Sequence, residues 1–138
     1  MIKVFLADDH AVVRDGMCAL MDAESDIQVV GTAGDGRQTV RQVENTQQDI
    51  VVMDIAMPEL NGIEATRQIS ESCPAVKVII LSMHDSSEHI YQALKAGAKG
   101  YLLKDSAGKE VVSAIRVVSS GRRYLSDRIE ETVIEGYV

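Results

Sequence analysis

Two adjacent carboxylates at the end of an apolar run are the first residues in this chain that suggest chemistry. The stretch "VFLADDH" runs from Val4 through Ala7 directly into Asp8, Asp9 and His10. Neighbouring carboxylates repel each other, and burying them without a positive partner is costly. Asp8 and Asp9 therefore either lie in water at the end of a strand or share a cation.

Later apolar runs end in the same way, on side chains that suit phosphoryl chemistry. "DIVVMD" ends at Asp54, "KVIILS" at Ser82 and "GYLLK" at Lys104. Carboxylate oxygens without cysteine suit a hard cation such as Mg²⁺, which often binds one or two carboxylates together with a phosphate. Asp54 can act as a nucleophile that forms an aspartyl phosphate. Lys104 can stabilise the charge of that group, and Ser82 can donate a hydrogen bond to it.

Each of these residues, taken alone, also fits an ordinary structural role. Asp8 and Asp9 are suited to capping the first helix, and Asp54 to capping the loop before Pro58. A single lysine is usually a solvated charge, and a single serine is usually a helix or turn residue. Their joint occurrence at the ends of several strands is what favours a functional acidic site.

These residues meet at one edge only if the apolar runs form a parallel sheet. The runs are rich in β-branched residues and lack strict polar alternation, which is typical of strands buried on both faces. They cover residues 2–7, 27–33, 49–54, 77–82 and 100–104. Helical patterns follow each run and predict an α/β fold, a doubly wound, five-stranded parallel sheet of order 2-1-3-4-5 with helices on both faces. Ligands of such sheets bind beyond the carboxyl ends of the strands.

Glycines mark the predicted ends of two helices, and the tail predicts one more helix. Gly97 and Gly121 follow apolar patterns of helical period, as glycines past a helix end do. The last helix would be capped at Ser126 or Asp127. Its apolar residues are expected to face inward: Ile129, Val133 and Ile134.

Composition and charge exclude several classes of protein. The chain has 138 residues, enough for one domain, and a net charge of -7, which argues against direct binding to nucleic acid. No apolar run approaches the roughly 20 residues of a membrane span, and no export signal is evident. Cys18 and Cys73 are expected to be free thiols in a reducing compartment. We therefore expect a cytoplasmic protein with no membrane partner.

The motifs "ADDH", "MDIAMPELNG", "LSMHD" and "GAKGYLLKD" carry a resemblance to a known family. In the order and spacing of these motifs the chain resembles the receiver domain of bacterial two-component response regulators. The residues within the motifs resemble those of the NarL/FixJ branch, which has a LuxR-type output domain. The resemblance covers residues 1–121 and implies a flavodoxin-like fold. It also implies a phosphoprotein that acts in a phosphorelay, in signal transduction and transcription regulation. Such a domain is not an enzyme beyond its self-phosphorylation and self-dephosphorylation chemistry.

The resemblance implies how phosphate and metal would be bound. Asp54 would accept phosphate from a sensor histidine kinase. Mg²⁺, with Mn²⁺ as a substitute, would be bound directly by Asp9, Asp54 and the backbone carbonyl of Ala56. Asp8 would bind the metal through water.

The same resemblance implies a set of residues that respond to the phosphate. Lys104 would pair with the phosphoryl group, Ser82 would move toward it, and Tyr101 would rotate inward with Ser82. Ala56 and His84 would flank the path of the attacking water and set the lifetime of the adduct. These roles come from the family and not from the spacing of the residues.

The sequence also bears on two residues beside the site, Asp105 and His10. Asp105 follows Lys104, where receivers of other branches often have a proline in a cis peptide. A cis bond without proline costs about 3–4 kcal/mol, so the sequence leaves the geometry of the Lys104–Asp105 peptide open. His10 is expected to be a solvated side chain rather than a proton-transfer group.

Residues 122–138 are expected to form a linker with a short helix that leads toward an absent helix-turn-helix output domain. We expect the chain to be the receiver with part of this linker, rather than a naturally single-domain receiver. DNA would be bound only through the output domain. Phosphorylation would drive homodimerisation, either through the first and fifth helices, which branch members often use, or through the face of the fourth helix, fifth strand and fifth helix.

Rival classes lack residues that they need. A metal-dependent phosphatase with an aspartyl phosphate would place a second acid two residues after the nucleophile, where this chain has Ala56. A flavodoxin-like electron carrier would stack its flavin on aromatic side chains, which make up only 4% of the chain. A dinucleotide enzyme would have G-x-G-x-x-G after the first strand, where this chain has "ADDHAVVR".

Overall fold

Strands and helices alternate along the whole chain. The computed structural model describes residues 1–137. In chain order the elements are β1 (Ile2–Ala7), α1 (Ala11–Asp22), β2 (Ile27–Ala33), α2 (Gly36–Asn45), β3 (Ile50–Asp54), α3 (Gly62–Ser72), β4 (Lys77–Ser82), α4 (Ser87–Lys95), β5 (Gly100–Leu103), α5 (Ala107–Ser119), β6 (Tyr124–Leu125) and α6 (Asp127–Tyr137).

The strands form one sheet in the order β2-β1-β3-β4-β5-β6, and every neighbouring pair is parallel. The predicted doubly wound sheet of order 2-1-3-4-5 is confirmed. The structure adds β6, which the sequence analysis had placed in the linker. This strand pairs with β5 through Gly100 and Tyr124 and through Tyr101 and Leu125. A two-residue strand is too short to produce a recognisable apolar run.

Two apolar cores lie on opposite faces of the sheet, because successive strand residues point to opposite sides. On one face Phe5, Met53 and Tyr101 pack with residues of α2, α3, α4 and α6. On the other face Leu6 and Leu81 pack with residues of α1 and α5. All residues of β3 are buried, as expected for a central strand covered by helices on both sides.

The predicted glycine ends of two helices are confirmed. Gly97, just beyond α4, has φ 113°, and its N–H donates to the carbonyl of Leu94 at 3.1 Å. Gly121, just beyond α5, has φ 96°, and its N–H donates to the carbonyl of Val118 at 3.0 Å. These left-handed conformations favour glycine, which has no Cβ to clash.

The prediction for the last helix is correct for two apolar residues and wrong for the third. Ile129 is 0% exposed and Val133 packs against the same core, but Ile134 is 61% exposed. Ile134 lies five positions after Ile129, which places it about 140° around the helix from the buried stripe.

In the described residues 1–137, no helix has the length and apolar character needed to span a membrane. Cys18 and Cys73 are both free thiols, as predicted.

Candidate functional site

The parallel sheet brings the predicted site residues to one edge. β1, β3, β4 and β5 are consecutive in the sheet. Along this row Ala7 pairs with Met53, Asp54 with Leu81, and Ser82 with Leu103. The residues that end or follow these strands therefore lie side by side at the carboxyl edge: Asp8, Asp9, Asp54, Ser82 and Lys104.

Lys104 holds two carboxylates at this edge. Its Nζ lies 2.9 Å from Asp54 Oδ2 and 3.2 Å from Asp8 Oδ2, and its side chain is only 10% exposed. Burial would lower the pKa of Lys104, but the hydrogen bond and charge of Asp54 outweigh it and raise that pKa above its ordinary value. Lys104 is therefore a firmly charged ammonium between two acids.

Asp54 is a buried carboxylate in an acidic environment. It is 2% exposed, and its Oδ1 accepts a hydrogen bond from the Ala56 N–H at 3.2 Å. Burial raises the pKa of Asp54 above its ordinary value, the hydrogen bond from Lys104 offsets only part of this, and the charge of Asp8 raises it further. The carboxylate of Asp54 is therefore less stable in its charged form than an exposed aspartate, and a cation beside it would reverse this.

Asp8 is completely buried, whereas its neighbour Asp9 is exposed. Asp8 Oδ1 accepts from the His10 N–H at 2.8 Å, and the Asp8 carbonyl accepts from Arg14 Nη1 at 2.6 Å. Asp8 Oδ2 lies near Lys104, but among residues 1–137 it has no hydrogen bond of acceptable geometry. A buried carboxylate oxygen without such a partner is costly unless a cation or water binds it.

The residues present fit a hard divalent cation. Asp8, Asp9, His10 and Asp54 each offer a ligand atom, and these atoms lie within 4.8 Å of one another. The set is rich in oxygen and has no thiol, which suits Mg²⁺ or Mn²⁺ better than a soft metal. The unbonded oxygen of Asp8 supports the same interpretation.

His10 is exposed as predicted, but it also contacts the site. Its Nδ1 lies 3.2 Å from Asp9 Oδ1 and 3.2 Å from Lys104 Nζ, with 63% of the side chain exposed. The sequence analysis did not place it beside Lys104, because the two are distant in the chain. Its adjacency to Asp9 was the only available signal.

Ser82 and Tyr101 hold the first residues of the loop between β4 and α4. Ser82 Oγ accepts a hydrogen bond from the His84 N–H at 2.9 Å, and the Tyr101 hydroxyl donates to the His84 carbonyl at 2.8 Å. Ser82 is 1% exposed and Tyr101 0% exposed, so the tyrosine occupies an inward position. Burial also raises the pKa of Tyr101 above its ordinary value. The backbone of one residue, His84, thus contacts both side chains.

Ala56 and His84, the two residues expected to affect adduct lifetime, are both exposed at this edge. The His84 ring stacks on the His89 ring, with centroids 4.4 Å apart. Ala56 has a small side chain and leaves the space next to Asp54 open.

Two backbone features shape the loops around Asp54 and Lys104. Gly62 lies so close to β3 that a Cβ there would be 2.2 Å from the Asp54 carbonyl oxygen, a contact the sequence analysis did not anticipate. No peptide bond in residues 1–137 is cis, so the Lys104–Asp105 peptide is trans. The Lys104 N–H donates to the Ser82 carbonyl at 2.8 Å, which aligns this loop with β4.

An acidic cluster at the switch point of a doubly wound sheet, with a lysine and a serine on neighbouring strands, defines the class of site. The response regulator receiver domain family matches residues 4–116 of the chain. A crystal structure of a LuxR-family two-component response regulator from Aurantimonas sp. SI85-9A1 has a TM-score of 0.93 and 38% identity, covering 98% of this chain and 96% of that one. The receiver domain of a putative response regulator NarL from Mycobacterium tuberculosis has a TM-score of 0.84 and 31% identity, covering 88% of this chain and 98% of that one.

Longer curated proteins match over nearly the whole chain. The oxygen regulatory protein NreC of Staphylococcus carnosus is 38% identical over an alignment of 138 positions, which covers 99% of this chain and 64% of that protein. The transcriptional regulatory protein DegU of Brevibacillus brevis is 37% identical, over 99% of this chain and 58% of that protein. The chain therefore spans less than two thirds of the length of these relatives.

The chain belongs to the response regulator receiver domain family, in its LuxR/NarL branch. The resemblance drawn from the sequence motifs is confirmed.

Proposed function

We propose that Asp54 accepts a phosphoryl group from a sensor histidine kinase and that this event controls a DNA-binding output domain. The observation that carries the proposal is the position of Asp54, a buried carboxylate 2.9 Å from Lys104 at the centre of the acidic edge. The bond that forms joins a carboxylate oxygen of Asp54 to phosphorus. The bond that breaks joins phosphorus to the imidazole nitrogen of the donor, which takes up a proton.

Mg²⁺, or Mn²⁺ in its place, is the cofactor in this proposal. Asp9, Asp54 and the backbone carbonyl of Ala56 would hold it directly, and Asp8 would hold it through water. When bound, the ion supplies positive charge beside the phosphoryl oxygens. Lys104, already an ammonium between two acids, transfers its contact from the Asp54 carboxylate to the phosphoryl group. The buried Oδ2 of Asp8, without a hydrogen bond in residues 1–137, supports a cation at this site.

Ser82 and Tyr101 form the switch in this proposal. A phosphoryl group brings negative charge and strong acceptor oxygens, and Ser82 moves to donate to one of them. Tyr101 is already inward in this structure, so its contact with the His84 carbonyl is what that movement would change. The shared contact of both residues with His84 supports this coupling.

Ala56 and His84 set the lifetime of the adduct in the same proposal. Both are exposed at the edge of the sheet that carries Asp54, and in this proposal they flank the path of the water that attacks the phosphorus. The chemistry is limited to self-phosphorylation and self-dephosphorylation, so the chain is a signalling domain of the cytoplasm rather than a turnover enzyme.

Phosphorylation drives homodimerisation in this proposal, through the first and fifth helices rather than through the face of α4, β5 and α5. β6 covers the edge of β5, and α6 packs against α4, so the face of α4, β5 and α5 is partly occupied by the chain itself. β6 also contacts α5, but Val12 on α1 is 85% exposed, which supports the surface formed by the first and fifth helices. DNA is bound only through an output domain beyond residues 122–138, since the net charge of this chain is -7.

Intact-mass spectrometry after treatment with acetyl phosphate and Mg²⁺ tests the proposal. We expect one phosphoryl group per chain, absent in Asp54→Asn and absent when the metal is chelated. Asp22→Asn, which changes an exposed aspartate of α1, is the matched control and should keep the adduct. An adduct of wild-type yield on Asp54→Asn would contradict the assignment. Rapid release of many phosphates per chain without an adduct that accumulates would instead indicate a phosphatase.

A further inference from the structure

The segment after α5 is attached to β5 by its backbone and by one buried serine. The Ser126 N–H donates to the Tyr101 carbonyl at 3.1 Å, and Ser126 Oγ accepts from the Leu103 N–H at 3.4 Å. Ser126 is 3% exposed. This segment is therefore hydrogen-bonded to β5, the strand that carries Tyr101 and precedes Lys104.

Glu110 of α5 joins this segment to the loop before α5. Its Oε2 accepts from Ser126 Oγ at 2.8 Å and from Ser106 Oγ at 3.0 Å, and its Oε1 accepts from the Tyr124 hydroxyl at 3.0 Å. Hydrogen bonds to a charged acceptor are stronger than neutral ones. Burial together with the Glu110 charge raises the pKa of Tyr124 to about 12, so this hydroxyl remains a donor at neutral pH. The network fixes β6 and the start of α6.

Ile129 anchors α6 on the core beneath the switch. It is 0% exposed and belongs to the same buried cluster as Ile90 of α4 and Tyr101 and Leu103 of β5. α6 therefore packs on β5, which carries Tyr101, and on α4, which follows the loop that Ser82 and Tyr101 hold.

Arg128 connects α6 to that loop directly. Its Nε lies 2.9 Å from Asp85 Oδ2. Asp85 follows His84, whose N–H donates to Ser82 Oγ. A cavity of 130 Å³ beside this contact is lined by Met83, Asp85, Leu103, Asp105 and Arg128, and it gives the loop room to move.

We propose that β6 and α6 are the receiver's own read-out element, docked through Asp85 and Arg128 and loosened when Ser82 turns to a phosphoryl group. The inference rests on the proposed function, since it takes Asp54 to be the phosphorylated residue. Movement of Ser82 either pulls the His84 amide along or breaks their hydrogen bond. In both cases Asp85 shifts relative to Arg128, and the ion pair weakens.

The ion pair between Asp85 and Arg128 responds to phosphorylation, whereas the buried contacts keep the segment attached to the domain. The Arg128 and Asp85 side chains are 67% and 43% exposed. Loss of such an exposed ion pair should change the equilibrium between docked and undocked α6 by about two- to fivefold. Ile129 and the Glu110 network hold the segment near the domain in either state. The signal that reaches the residues after α6 is thus a change in how firmly α6 is docked.

Hydrogen exchange of α6, measured on the full chain, tests the read-out. We expect phosphorylation by acetyl phosphate with Mg²⁺ to speed exchange of the α6 amides about two- to fivefold. Arg128→Ala should show this faster exchange before phosphorylation and little further change after it. Glu131→Ala is the matched control, an exposed residue of α6 with no ion pair in the part of the chain that the structure describes, and it should respond like wild type.

Affinity for beryllofluoride provides a readout that a purely structural role would not change. Coupling between two sites is reciprocal. Arg128→Ala should therefore tighten beryllofluoride binding by about two- to fivefold, the effect expected from losing one exposed ion pair. Asp85→Ala should do the same, and the double variant should add nothing to either single change. Glu131→Ala should bind as wild type does.

The mass of the same phosphorylated samples separates this inference from the proposed function. A full adduct with unchanged α6 exchange would overturn the read-out and leave phosphorylation of Asp54 intact. An unchanged response in Arg128→Ala would overturn it as well. No adduct at all would overturn the proposed function, and with it the inference that rests on it.

Discussion

The acidic edge and the β6–α6 segment differ in how they satisfy their polar groups. At the acidic edge two buried carboxylates, Asp8 and Asp54, share one ammonium, and one buried oxygen has no hydrogen bond among residues 1–137. In the segment, Glu110 accepts three hydroxyl donors and Ile129 fills an apolar site. The first region has a buried oxygen left to satisfy and could hold a metal ion, whereas the second satisfies its polar groups within the chain. Substitutions in the two regions should therefore change stability with opposite sign.

The largest effect is expected in the segment, at Ile129. Ile129→Ala removes a fully buried side chain and should lower the free energy of unfolding by about 2–5 kcal/mol. Ile134→Ala is the matched control, because this isoleucine of the same helix is 61% exposed. Its effect should stay within about 0.5 kcal/mol. Urea unfolding of both variants gives the comparison, and equal losses would mean that α6 is not docked.

A smaller effect of opposite sign is expected at the acidic edge. Without divalent cation, Asp8→Asn should raise the free energy of unfolding by about 1 kcal/mol, because it removes one of two buried charges that share Lys104. With Mg²⁺ at about 100 times its dissociation constant, the wild-type chain should gain about 2.7 kcal/mol. Asp8→Asn should gain less than the wild type.

Thermal unfolding with and without Mg²⁺ measures both parts of this prediction. Asp22→Asn, in an exposed position of α1, serves as the control and should behave as wild type in each condition. A loss of stability in Asp8→Asn without metal would mean that the acidic edge is not electrostatically strained.

The smallest effect is a pH dependence of the segment. The pKa of Tyr124 is raised to about 12, by burial first and by Glu110 second, against about 10 in an unfolded chain. A group whose pKa is raised by folding contributes stability below its unfolded pKa, and this contribution is lost as pH rises from about 10 to about 12. Tyr124→Phe should flatten the decline of stability over that interval. Tyr91→Phe, at a side chain that is 72% exposed, is the control; matching slopes in both variants would contradict the assignment.

The same two regions show what sequence reasoning reaches. Buried parallel strands produce long apolar runs, so their ends at Asp54, Ser82 and Lys104 could be located and brought to one edge. The different burial of Asp8 and Asp9 could not be predicted, because both follow β1 and nothing in two identical adjacent residues indicates which one the chain turns inward. The contact of His10 with Lys104 also depends on the folded loops.

The sequence analysis did not predict how firmly the β6–α6 segment is attached to the domain. The segment's contacts join residues that are distant in sequence, and its strand is short. β6 has two residues, and its hold on the domain comes from Glu110 on α5 and from the carbonyl of Tyr101. Neither a two-residue strand nor these hydrogen bonds produce a periodic apolar pattern in the sequence. The sequence analysis therefore expected a linker with one short helix. The inward-facing Ile129 is confirmed, but β6 and the hydrogen bonds to Glu110 were not anticipated.

The central claim is that Asp54 is the residue that carries the phosphoryl group. Borohydride reduction of the phosphorylated chain converts an aspartyl phosphate into homoserine, and tandem mass spectrometry of its peptides identifies the position. We expect homoserine at position 54 alone, and none when Mg²⁺ is chelated before phosphorylation. Homoserine at Asp8 or Asp9, or its absence from a chain that carries the phosphoryl mass, would contradict the account.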